Sequence, residues 1–108
     1  MCGEFCNLSV RTTGIENVFI QIYSIFGNTH TPRIKVSNVY GKFDSTDHFY
    51  IGLRKYKVII GWPKISQEEL NLVRKWAKIN RAALLRYWKD GHEIPTSEFL
   101  DTLKPINS

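Results

Sequence analysis

Apolar and polar positions change their rhythm at about residue 65. Beyond it, from Ser66 to Lys89, apolar residues recur at helical spacing. At about 100° per residue, Leu70, Leu72, Val73, Trp76, Ala77, Ile79, Ala83, Leu84, Tyr87 and Trp88 collect on one side. Asn71, Arg74, Lys75, Lys78, Arg81, Arg86 and Lys89 collect on the other, with Leu85 as the exception. The spacing predicts a single long helix whose wide apolar arc lies across a sheet. Its start is signalled by Ser66 and Glu69, spaced as a capping box, and by Ile65 and Leu70 at the staple positions. Its end is signalled by Gly91, suited to a left-handed C-cap. Asn80 falls inside the apolar arc, where a polar side chain needs a partner; a structural hydrogen bond is expected there rather than a ligand contact.

Before residue 65 the period is two. Val18 to Phe26 is β-branched and aromatic throughout and reads as a central strand. Gly27 to Pro32 turns the chain. Arg33-Ile34-Lys35-Val36-Ser37 alternates cleanly, as a strand with one face buried and one solvated. Lys42-Phe43 can add a short pairing, and Asp44-Ser45-Thr46-Asp47 is a turn cluster. Phe49, Ile51 and Leu53 alternate with Tyr50, Gly52 and Arg54; Tyr56, Val58 and Ile60 alternate with Lys57 and Ile59. Short connections between successive strands favour an antiparallel meander. Leu103 to Ile106 is expected to return to a sheet edge, where Pro105 is tolerated. The fold class expected is α+β in two layers: an antiparallel sheet of about four strands with one long C-terminal helix packed on one face. Residues 1–16 are expected to form a partly ordered N-terminal tail, and residues 17–108 a single domain.

A chain of 108 residues with 43% hydrophobic content has enough apolar mass for a core without disulfides or metals. Cys2 and Cys6 lack a second Cys or His cluster near them, and read as free thiols of an intracellular protein rather than a zinc site. No signal peptide or membrane-length apolar run is present, so the expectation is a cytoplasmic protein with no membrane contact. The net charge of +5 permits a polyanionic partner without requiring one.

Three groups of residues offer chemistry. If the sheet's apolar positions face the helix, then Arg33, Lys35, Tyr50, Arg54 and Lys57 lie on its open face. Cations with an aromatic suit a single-stranded nucleic acid, and equally suit an ordinary solvated surface. The basic side of the helix, Arg74, Lys75, Lys78, Arg81, Arg86 and Lys89, can track phosphates or simply face water. Asp44, Asp47 and His48 are the one cluster of acids with an imidazole, at a spacing that fits no defined metal site. His30, His48 and His92 are scattered. No catalytic set, metal site or cofactor is predicted.

Ile20-Gln21-Ile22-Tyr23, Thr31-Pro32-Arg33-Ile34-Lys35-Val36, Gly61-Trp62-Pro63-Lys64, Leu72 to Ala77, Leu84 to Trp88 and Leu103-Lys104-Pro105-Ile106 together resemble a small bacterial family. It is the domain-of-unknown-function family numbered four-one-six-zero, and the likeness runs from about Val18 to Ile106. Members carry three histidines in the turn before the second strand. None has a matching histidine here, since His30 stands one position out of step, so no imidazole role carries over. The resemblance implies a small cytoplasmic protein, often encoded beside another small protein, with some members suspected of belonging to toxin–antitoxin pairs. The first functional expectation is therefore a non-enzymatic module that binds a protein partner. The second is binding of RNA or single-stranded DNA through Arg33, Lys35, Tyr50, Arg54 and Lys57. The third is a toxin-type ribonuclease using His30 or His48. Nothing in the sequence sets an oligomeric state.

Overall fold

The computed structural model describes residues 5–8, 10–23, 31–42 and 46–106. Five strands form one antiparallel meander in the order β1-β2-β3-β4-β5: β1 Phe5–Leu8, β2 Ile20–Tyr23, β3 Arg33–Ser37, β4 His48–Gly52 and β5 Val58–Ile60. Part of the stretch read as a tail thus supplies β1 and a short helix, α1 (Val10–Thr13), and Leu8 enters the core. The remainder of the expected strand 18–26 beyond Tyr23, the turn at Gly27 to His30, and Phe43 lie outside the described residues.

The pleat explains which face is buried. Leu8, Ile20, Val36 and Phe49 stand opposite one another on successive strands, and Ile34 opposite Ile51; all are fully or almost fully buried. Against them pack Val73, Trp76 and Ala77 of α2 (Gln67–Ile79) and Leu84 and Tyr87 of α3 (Arg81–Asp90). Tyr87 stacks on Phe99 of α4 (Thr96–Thr102), ring centroids 4.2 Å apart, which fixes the C-terminal helix to α3. The indole N–H of Trp76 is buried without a hydrogen-bond partner among the described residues.

The expected single helix is in fact two. The chain leaves helical geometry at Asn80, whose φ and ψ are −104° and 14°. Its side chain, 4% exposed, donates to the carbonyls of Trp76 (3.0 Å) and Lys104 (2.9 Å) and accepts from the Lys104 N–H (2.7 Å). The polar position in the apolar arc is therefore satisfied structurally, and the partner is the segment after α4. That segment does not return to the sheet edge. Leu103 is buried, and the Ile106 N–H donates to the carbonyl of Thr13 at 2.8 Å. Gly91 is also not a left-handed cap; its φ of −57° carries α3 into a short 3-10 turn, Gly91–Glu93.

The N-terminus of α2 follows the sequence closely. Ser66 Oγ accepts from the Glu69 N–H at 3.1 Å, and the Ser66 N–H donates to Glu69 Oε1 at 2.9 Å. Tyr40 adds a hydroxyl donor to the same oxygen at 2.6 Å. Partial burial pushes the Glu69 carboxyl up, but the bonds from Tyr40 and Ser66 together outweigh it and hold the carboxyl below its ordinary value. The Tyr40 hydroxyl is raised in turn, chiefly by that same hydrogen bond.

Two stability outcomes follow from these ties. Asn80→Ala should cost about 1–3 kcal/mol in urea unfolding, with accelerated hydrogen exchange at the Lys104 N–H, because it strands buried backbone groups. Glu69 is more acidic folded than unfolded, so its contribution is complete above the unfolded carboxylate range and is lost as pH falls through the lower folded value. Glu69→Gln should accordingly flatten the acid limb of the stability curve, read as urea midpoints between about pH 6 and pH 3.

Candidate functional site

No described helix or strand packs on the second face of the sheet. One row crosses it: Gln21 pairs with Lys35, Lys35 with Tyr50, and Tyr50 with Ile60. Arg33 pairs with Gly52 one step along. The structure therefore brings Arg33, Lys35 and Tyr50 together. The Arg33 guanidinium lies 5.6 Å and the Lys35 ammonium 5.4 Å from the Tyr50 ring centroid, both within cation–π range. Arg33 Nε also donates to the Thr31 carbonyl at 3.1 Å, which fixes its stem. His48 meets the edge of Tyr50 with centroids 5.4 Å apart.

Arg54 and Lys57 lie in the exposed β4–β5 turn, at the end of this face. With Thr31, Gly52, Lys55 and Ile59 they line a groove of about 240 Å³. That is smaller than a typical small-molecule site, so it suits a ligand that lies along the surface. The turn closes with the Gly52 N–H donating to the Lys57 carbonyl at 2.9 Å and Tyr56 at φ 58°, a left-handed conformation unusual for a bulky residue. Helix α2 holds it there: Arg74 Nε donates to the Tyr56 carbonyl at 2.9 Å, and the Lys78 ammonium lies 5.4 Å from its ring.

The alternation at β5 misplaced Ile60. Tyr50 pairs with Ile60 while Ile51 pairs with Val58, so Ile59 is the extra residue of a bulge. Ile60 stands opposite Tyr50 and is 50% exposed instead of facing the helices, and Ile59 is 43% exposed. Ile59 lies over Gly52, where a Cβ would come 3.4 Å from its Cγ2. The only hint in the sequence is the unbroken run Val58-Ile59-Ile60, too apolar for strict alternation. The sequence reading also passed over Trp62 as a site residue, although it is 84% exposed.

The basic side of the helices is largely committed to the fold. Besides Arg74 and Lys78, Arg81 Nε donates to the Leu53 carbonyl at 3.3 Å, and Arg86 lies 3.9 Å from Glu98. Of the acid–imidazole cluster, Asp47 and His48 are described. Asp47 accepts from Asn38 Nδ2 at 3.0 Å and from the Lys64 ammonium at 2.8 Å. His30, Asp44 and Cys2 lie outside the described residues, as do the side chains of Cys6 and His92. Among the described residues no group of three His, Cys, Asp or Glu side chains could hold a metal ion.

A second concavity, about 570 Å³, lies between Gly14, Tyr40, Glu68, Glu69 and Leu72. Its two shifted groups move away from neutrality, Glu69 downward and Tyr40 upward, opposite to what acid–base catalysis near pH 7 needs. Among the described residues no helix is long and apolar enough to cross a membrane. No protein-family model, curated protein or solved structure matches the chain.

These contacts separate structural cations from available ones. Arg74→Ala should lower stability by about 1–2 kcal/mol, because it removes the donor to Tyr56. Lys75→Ala, on the exposed side of the same helix, should change stability by less than about 0.5 kcal/mol. Urea midpoints of the two variants check the contrast.

Proposed function

We propose that the protein is a non-enzymatic binding module and that its open sheet face takes single-stranded nucleic acid. The observation that carries this reading is Tyr50 held between Arg33 and Lys35, within cation–π range of both. None of the five strands contains Asp or Glu, and neither does the turn from Leu53 to Lys57, which adds Arg54, Lys55 and Lys57. A base stacked on the tyrosine would have cations on either side for its flanking phosphates. The charge separation strengthens the case: the described acids lie at the start of α2, in the loop before β4, before β2, and in the C-terminal quarter.

A second reading rests on the apolar margin of the same sheet. Ile59 and Ile60 are exposed on the edge strand β5, as in a surface that docks a protein. The family resemblance favours a partner encoded alongside, as in a toxin–antitoxin-like pair. A cytoplasmic setting fits both readings. Ile60→Ser should abolish capture of such a partner from the native host.

The deciding measurement is a salt titration of labelled single-stranded RNA and DNA. If Arg33, Lys35, Arg54 and Lys57 all meet phosphates, log K should fall against log salt with a slope of about −3. The double variant Arg33→Ala/Lys35→Ala should reduce that slope by about 1.4. Absence of binding by the wild type at low salt would overturn the nucleic-acid reading.

A further inference from the structure

The groove beside the β4–β5 turn brings three cations to one place. Arg54, Lys55 and Lys57 line it with Thr31, Gly52 and Ile59, and all three cations are exposed. Among the described residues that line it there is no Asp or Glu. Ile59 supplies apolar surface over Gly52, its Cγ2 3.4 Å from where a Cβ would stand.

The backbone that carries the cations is held from several sides. The Gly52 N–H donates to the Lys57 carbonyl at 2.9 Å, and the Tyr56 N–H to the Gly52 carbonyl at 3.0 Å. The Leu53 N–H donates to the Pro32 carbonyl at 2.9 Å. From the helices, Arg74 reaches the Tyr56 carbonyl and Arg81 the Leu53 carbonyl. The backbone beneath the three side chains therefore has little freedom left to lose when a ligand arrives.

Measured contacts join the groove to the tyrosine of the open face. Arg33 Nε lies 3.1 Å from the carbonyl oxygen of Thr31, a lining residue, and the Arg33 guanidinium lies 5.6 Å from the Tyr50 ring centroid. Gly52 pairs with Arg33 and follows Tyr50 by two residues on β4, so a side chain there would share Tyr50's face. Ile59 packs where that side chain would stand. One arginine thus stands between the groove and the ring.

Resting on the nucleic-acid reading above, we propose that this groove holds a phosphomonoester, the terminal phosphate of a single strand whose adjoining base stacks on Tyr50. A phosphomonoester carries a charge of about −1.5 to −2 at pH 7 and three strong acceptor oxygens, whereas each internal phosphate carries a single charge. Three cations around one groove match the more highly charged end better. Arg54 can meet two of its oxygens at once, and the lysines act as point charges. At about 240 Å³ the groove is below the usual size for a whole small ligand, so the sugar and base continue out of it toward Arg33 and Tyr50.

The test uses the full chain with oligo-U of about twelve nucleotides, within the span one such surface covers. Each strand carries fluorescein at one end and either a phosphate or a hydroxyl at the other, in both orientations. In the wild type a terminal phosphate at one of the two ends should tighten binding about 10-fold or more, as an added charge-assisted contact does. Arg54→Gln/Lys55→Gln/Lys57→Gln should bring the two affinities to within about 2-fold of each other, with an unchanged thermal midpoint because these side chains are exposed. Lys75→Gln, a charge lost on the exposed side of α2, should leave the ratio as it is. Uridine monophosphate should bind at least about 10-fold more weakly than the phosphorylated strand, since it brings no further phosphates to Arg33 and Lys35. If it binds as tightly as that strand, the groove serves a free nucleotide and the strand-end proposal is overturned. If phosphorylated and hydroxyl strands bind alike in both orientations while Arg33→Ala/Lys35→Ala weakens both, this inference falls and the binding face stands. If the wild type binds no strand with either end, both fall together.

Discussion

The arrangement of this protein depends on one buried amide. Asn80 presents a donor and an acceptor to both backbone groups of Lys104, twenty-four residues on, and a second donor contact to Trp76. An apolar residue at this point would continue the arc of α2 into α3 and leave the Lys104 peptide groups without partners in a partly buried place. With asparagine, the helix breaks, α3 packs over β2, and the C-terminal segment is drawn to the helical side. There Ile106 reaches the Thr13 carbonyl, so the segment after α4 is tied to the end of α1. The consequence for function is indirect but physical. The described segment after α4 packs with the helices and not on the other face.

The cations divide in the same way. On the helices, long side chains reach carbonyls and a ring in the β4–β5 turn, and the turn in exchange holds a tyrosine in a conformation it would not choose alone. These charges join the two layers. On the open face, Arg33 and Lys35 lie beside an aromatic ring, with no carboxylate on the neighbouring strands. A uniform count of +5 conceals this division. A basic stripe on a helix and a basic row on a sheet look alike in sequence, but in the fold the one reaches carbonyls of the neighbouring turn and the other flanks an aromatic ring.

What could be read from the sequence was local. The capping box at Ser66 and Glu69 needs only three residues of spacing, and both its bonds form. Clean alternation placed Ile34, Val36, Phe49, Ile51 and Leu53 in the core and Arg33, Lys35 and Tyr50 on the other side. What could not be read depended on distant partners. The polar site at Asn80 is visible in the arc, but the helix break rests on a peptide at Lys104. The bulge at Ile59 depends on how β5 meets β4, and one inserted residue moves Ile60 to the opposite face. The partners of Arg74 and Arg81 lie eighteen and twenty-eight residues away. Asn38, which looks like simple punctuation before a turn, joins Asp47, Trp62 and Lys64.

The margin of the sheet also bears on which kind of ligand fits. An exposed edge invites another strand, and proteins that avoid this shorten or twist the edge. Here β5 has three residues, carries a bulge, and is bounded by Lys57 and by Gly61 with no room for a Cβ. A strand adding to this edge would find a short, irregular ladder. A ligand that uses the face needs no ladder. Ile59 and Ile60 are exposed near Tyr50, Arg33 and Lys35, at the margin where the backbone is least suited to pairing. The bulge that spoils the edge is also what turns Ile60 toward Tyr50's side, so one local irregularity both shortens the ladder and leaves an apolar side chain on the open face.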